Sequence, residues 1–116
     1  MLLAMSQGNN GSMCTLHADS SKSVFPKLAA YVSMAGAALP VETINLLLAT
    51  AVHLVVQIEV DGGVRRIASI REVVDADGMR IVSNEVFAPG PDGLAVPAYA
   101  LRAATLDLLA DHGYDR

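Results

Sequence analysis

The sequence contains no tryptophan, only three tyrosines and two phenylalanines, and a single cysteine, Cys14. One cysteine cannot form an internal disulfide, which excludes a disulfide framework and makes a reducing compartment the default expectation. Charge is scarce as well. Asp, Glu, Lys and Arg make up 17% of the chain, against about 25% in an average soluble domain. Eight basic residues face twelve acidic ones, the formal net charge is −4, and the longest basic run is Arg65-Arg66. That balance argues against a nucleic-acid footprint. There is no long apolar run. The most apolar stretch, residues 46–56, is broken by Thr50 and His53 and falls short of the ~20 residues a membrane-spanning helix needs. The opening Met1-Leu2-Leu3-Ala4-Met5 has no basic region before it and turns polar at Ser6, unlike a signal peptide.

What is present is an excess of apolar side chains. The chain has 116 residues, 53% of them hydrophobic without glycine. This length suits one domain with a real core. The apolar excess predicts a large face buried against a partner, or a piece of a larger domain.

Local patterns predict alternating helices and strands. Met1 to Met5 are good helix formers stopped by Gly8, and read as the tail of a helix begun further upstream. Gly8-Asn9-Asn10-Gly11 reads as a turn. Residues 12–16 read as a short buried strand that includes Cys14, with His17 just past its end. Asp19-Ser20-Ser21 is rich in helix-capping residue types, and a helix starts near Ser23 or Val24. Pro26 is tolerated in its first turn. Leu28, Tyr31, Val32 and Ala35 form its apolar face, and Gly36 can cap it. A second helix begins at Pro40 and Glu42, with Ile44, Leu47, Leu48 and Ala51 on one face.

At His53 the period changes from 3.6 to 2. Leu54, Val56, Ile58 and Val60 alternate with Val55, Gln57 and Glu59. Asp61-Gly62-Gly63 signals a hairpin. Residues 64–74 form the second strand, Asp75-Ala76-Asp77-Gly78 a turn, and residues 79–87 a third strand. The region 53–87 is therefore an antiparallel meander. A Pro/Gly-rich linker follows over 89–97, then a helix within 98–112 that carries Leu101, Leu106, Leu108 and Leu109 and ends at His112-Gly113.

The chemistry-bearing residues are sparse. His17 lies where α/β sheets present groups to ligands, beyond the carboxyl end of a strand, and an imidazole there could touch a phosphate. By spacing alone, the commoner role for such a histidine is to bond a backbone carbonyl at a strand–helix junction. Cys14-x-x-His17 is half of a metal-site spacing, but no second pair completes it. It predicts bound zinc only as a remote third reading. On a strand, residues 14 and 17 point to opposite faces, which argues against a Cys–His nucleophilic pair. No Gly-Lys-Ser/Thr follows Gly8 to Gly11, so a P-loop is absent. Asp75 and Asp77 read as turn residues. Arg65 and Arg66 follow a hairpin, where one faces solvent and the other can reach an anion.

One set of motifs is more specific. The stretch from Leu2 to Ser20, with its Gly8-Asn9-Asn10-Gly11-Ser12 turn leading into Thr15-Leu16-His17-Ala18, resembles the segment after Walker B in the type II/IV secretion-system ATPases. The branch it is most similar to is the CpaF-like ATPases of Tad/Flp pilus assembly. Met34-Ala35-Gly36, Leu39-Pro40, Ala51-Val52-His53-Leu54-Val55-Val56-Gln57 and Arg65-Arg66-Ile67-Ala68-Ser69-Ile70-Arg71-Glu72-Val73 extend the match over residues 1–88.

The resemblance implies an α/β fold, the C-terminal part of a RecA-like P-loop ATPase domain with an antiparallel meander and a terminal helix. Residues 1–88 would be the partial core, 89–97 a linker, and 98–112 the terminal helix. His17 would be the His-box residue sensing the γ-phosphate. Thr15 would support the nucleotide site, and Arg65 or Arg66 could approach the nucleotide or a neighbouring subunit. The parent would be a cytoplasmic hexamer, peripheral to the inner membrane, that uses ATP and Mg²⁺ to drive secretion or pilus assembly with membrane platform proteins. Walker A and Walker B are missing from this chain. It is expected to bind no cofactor and to hydrolyse no ATP alone, and no metal site is expected. Asn9-Asn10 stands where the family often has His-Asp, and Asp19 where it often has Asn. The alternative is a non-enzymatic module that docks on a partner through its apolar face.

Overall fold

The computed structural model describes residues 13–35 and 39–115. The expected helix tail at Met1 to Met5, the turn at Gly8 to Gly11 and the Gly36 cap lie outside the described residues. The rest is a mixed α/β domain: helices α1 (Val24–Met34) and α2 (Val41–Ala51), strands β1 (Leu54–Asp61), β2 (Val64–Asp77), β3 (Arg80–Pro89) and β4 (Ala95–Pro97), and helix α3 (Ala103–Ala110). The strands form one antiparallel sheet in the order β1-β2-β3-β4. The expected meander is present.

The β1–β2 hairpin follows from its turn residues. Gly62 and Gly63 have φ of 57° and 82°. Positive φ at both central positions suits a type I′ turn, whose twist matches the strands it joins. The second turn falls later than the sequence suggests. Asp75 and Asp77 belong to β2, paired with Val82 and Arg80, and Gly78 makes the turn. The stretch expected as a linker contributes β4, which pairs with the end of β3.

Helices α1 and α2 cover one face of the sheet. Val24 and Phe25 of α1 pack with Val55 and Val73, and Leu16, Ala18 and Leu28 close around them. On α2, Ile44, Leu48 and Ala51 are buried, as their spacing predicts, and Leu48 is fully inaccessible. Asn45 is buried beside them and donates through Nδ2 to Gly78 O at 3.2 Å, tying α2 to the β2–β3 turn.

The other face is different. Alternation identifies β1 as a strand, but its apolar half faces outward. Val56, Ile58 and Val60 are 48%, 58% and 67% exposed, while Val55 is buried. Helix α3 sits on this outer side of β2 and buries no residue of its own completely. No helix among the described residues is long and apolar enough to cross a membrane.

Candidate functional site

Residues 13–18 enter the domain as a segment that forms neither helix nor strand. This corrects the expectation of a buried strand over 12–16, of which Ser12 lies outside the described residues. Met13 is 95% exposed and Cys14 is exposed, because no described strand pairs with this segment. Burial alternates only over residues 15–18. Leu16 and Ala18 pack against the core formed by Val24, Phe25, Val55 and Val73, which leaves Thr15 and His17 exposed.

The backbone at His17 is held although its ring is free to meet solvent. The ammonium of Lys27, from α1, donates to His17 O. Gln57 of β1 donates through Nε2 to Ala18 O at 3.2 Å. Three residues on, Ser21 is buried, and its Oγ lies 2.8 Å from Ser69 Oγ. Ser20 and Ser23 then cross-bond at the entry of α1: Ser23 N donates to Ser20 Oγ at 3.2 Å and Ser23 Oγ to Ser20 O at 3.0 Å. The side chains Ser21, Ser69, Gln57, Arg71 and Glu85 line a cavity of about 80 Å³ beneath this segment.

These groups limit the chemistry. Ser21 and Ser69 are buried and hydrogen-bonded, so neither offers a free nucleophilic hydroxyl. Cys14 makes no hydrogen bond to His17. Among the described residues, no group of three or more His, Cys, Asp or Glu side chains could hold a metal ion. What remains is an exposed imidazole on a fixed backbone, able to donate a hydrogen bond to an anion brought to it.

Arg65 and Arg66 lie elsewhere. With Ile67, Ile70, Phe87 and Leu94 they line an open groove of about 890 Å³. Arg66 donates to Asp92 O at 3.1 Å and sits 3.7 Å from the Asp61 carboxylate. Neither this groove nor the small cavity is lined by both the arginines and the His17 segment. The structure thus groups Thr15 with His17 and groups Arg65 with Arg66, but does not join the two pairs.

Sequence reading missed a second polar centre. Glu72, on β2, is completely inaccessible. Its Oε1 accepts from Arg102 N at 3.2 Å and its Oε2 from Arg102 Nε at 3.2 Å, and the Thr105 hydroxyl donates to the same Oε2. Arg102 also reaches Val73 O at 3.2 Å and Val74 O at 3.3 Å. Burial acts to raise the Glu72 carboxyl. The Thr105 hydroxyl, the Arg102 N–H groups and the guanidinium charge outweigh it and hold the carboxyl below its ordinary value. The available signal was the adjacent pair Arg71-Glu72 set between apolar Ile70 and Val73 in the middle of a strand. Neighbours on a strand face opposite sides, so each needs its own buried partner.

No protein-family model matches the chain, and no curated protein matches it either.

Proposed function

We propose that this chain is the C-terminal portion of a hexameric secretion or pilus-assembly ATPase with a RecA-like core, nucleotide-linked in its parent and inactive alone. The observation that carries this reading is His17: an exposed imidazole whose own carbonyl and whose neighbour's carbonyl are both held. Phosphoryl transfer depends mainly on positioning and on electrostatic stabilisation of the transferring group. A fixed donor beside an anion site is the kind of residue such a motor uses. Thr15, on the same exposed side, would support that site. ATP and Mg²⁺ would be held by groups this chain lacks, since it contains no Gly-Lys-Ser/Thr phosphate loop. In this reading the parent works in the cytoplasm against an inner-membrane platform.

A second reading is a non-enzymatic docking module. Val56, Ile58 and Val60 on β1, each about half or more exposed, favour it.

The coding sequence immediately upstream separates the two. Walker A and Walker B motifs directly upstream are expected for the motor portion. An independent promoter and start at Met1, with no such motifs, overturns it in favour of the docking module. The isolated chain is expected to bind a fluorescent ATP analogue with Mg²⁺ no more tightly than the millimolar range. Micromolar binding that His17→Ala abolishes would overturn the claim that the chain is inactive alone.

A further inference from the structure

Four side chains from three parts of the chain form a run of three hydrogen bonds that an ion pair closes into a ring beside the His17 segment. Ser69 Oγ donates to Glu85 Oε2 at 2.6 Å. A serine hydroxyl has one proton, so Ser69 has none left for Ser21, whose Oγ is 2.8 Å away. Ser21 must therefore donate to Ser69. Its lone pair in turn accepts from Arg71 Nε at 3.1 Å. A second nitrogen of the same guanidinium lies 3.7 Å from Glu85 Oε2 and closes the ring. The remaining one donates to Ser83 Oγ at 3.2 Å. Every proton then has one direction, running from the guanidinium through two hydroxyls to the carboxylate. Hydrogen bonds chained this way polarise and strengthen one another in a low-dielectric interior. Among the described residues, no buried side-chain polar atom is left without a partner.

Ser21 is the one member of the ring that does not belong to the sheet. Ser69 and Arg71 are on β2 and Glu85 is on β3. The ring therefore joins the segment that carries His17 to the rigid part of the fold. We propose that Arg71, acting through Ser21, is a positioning residue for His17. The ring fixes residues 17–21, and Lys27 and Gln57 then set the height of the His17 and Ala18 carbonyls. The imidazole then swings from one fixed backbone position rather than from a segment that itself moves. A donor that must meet an anion gains from this, because its ordering is complete before the anion arrives. The purpose of the device rests on the nucleotide reading of His17. The device itself is a property of this chain.

The test is backbone ¹⁵N relaxation on the full chain, with the His17 ring Cε1–H resonance as a second reporter. In the unsubstituted chain, Ala18 and Asp19 are expected to have order parameters near the rigid value of about 0.85. Ser21→Ala should drop them below about 0.6 and shift the His17 ring signal, while the amides of β2 and β3 keep their values. Arg71→Lys keeps a positive charge facing Glu85 but cannot donate from Nε, so the same loss is expected. Ser83→Ala removes a partner of Arg71 that is not in the ring, and should leave residues 17–21 rigid.

Unchanged order parameters in both Ser21→Ala and Arg71→Lys overturn the proposal. If one variant does not fold, the other decides. If both lose the sheet together with the loop, the ring holds the domain rather than the segment, and the proposal fails. Absence of Walker motifs upstream would remove the phosphate role of His17 and leave these results standing. Unchanged order parameters would remove the positioning role and leave the nucleotide reading to its own test.

Discussion

Arg71 and Glu72 are adjacent on β2, point to opposite faces of the sheet, and each holds a separate segment. On the Arg71 face, two helices bury Val24, Phe25, Ile44, Leu48 and Ala51. Docking there is supplied by apolar area, and the ring selects the position. On the Glu72 face, α3 buries no residue completely, and the Glu72 carboxylate with its Arg102 and Thr105 donors is the main tie. A typical hydrogen bond contributes about 0.5–1.5 kcal/mol net, and one to a charged group about 1.5–3 kcal/mol. A segment held that way can detach by itself. A segment held by a core leaves only with the whole domain.

The sharpest contrast comes from truncating one leucine on each side. Leu48→Ala empties a fully inaccessible site and is expected to cost about 2–5 kcal/mol in global stability. Leu108→Ala on α3, already 42% exposed, should stay within about 0.5 kcal/mol. Denaturant midpoints read both, and equal losses would break the comparison.

Next in size is Glu72→Gln. The amide keeps the shape but loses the charge that Arg102 and Thr105 address. About 1.5–3 kcal/mol of local stability should go, read as faster amide exchange across α3 with the β2–β3 ladder unaffected. Acid should act on the same group. The folded Glu72 carboxyl is held below its ordinary value, so the unfolded or detached form takes up a proton first as pH falls. The contribution of Glu72 is then present above the ordinary glutamate value of about 4.3 and is lost on descending through the lower folded value. Protection of α3 should therefore fall at acid pH while Val55 and Val73 remain protected. Simultaneous loss of both would show that the two faces are not independent. The smallest effect is expected at the rim. Asp61→Asn removes an exposed partner 3.7 Å from Arg66 and should change the unfolding free energy by less than about 0.5 kcal/mol.

The site was less legible than the fold. His17 was singled out by its place past an expected strand end and by the resemblance, and Thr15 by the resemblance alone; both are exposed, between Leu16 and Ala18 that pack on the core. Arg65 and Arg66 are next to one another in sequence and line one groove, but nothing local says how far that groove lies from the His17 segment. Ser21 and Ser69, 48 residues apart, form a bond that no spacing rule reaches. Cys14 was expected inside because its residue type favours burial, and it is exposed because no described strand lies beside it.

By itself the sequence determined the local elements: α2 from Ile44, Leu48 and Ala51, the β1–β2 turn from Gly62 and Gly63, and β1 from its two-residue alternation. Each of these is set by backbone sterics or by a repeat that the chain carries in itself. Only the tertiary structure decided which half of the β1 alternation is covered, that Asp75 and Asp77 extend a strand rather than turn it, and that Arg71 and Glu72 serve different segments. Burial and charge pairing belong to two partners at once. The partner is chosen when distant parts of the chain pack, so a pattern within one part cannot name it.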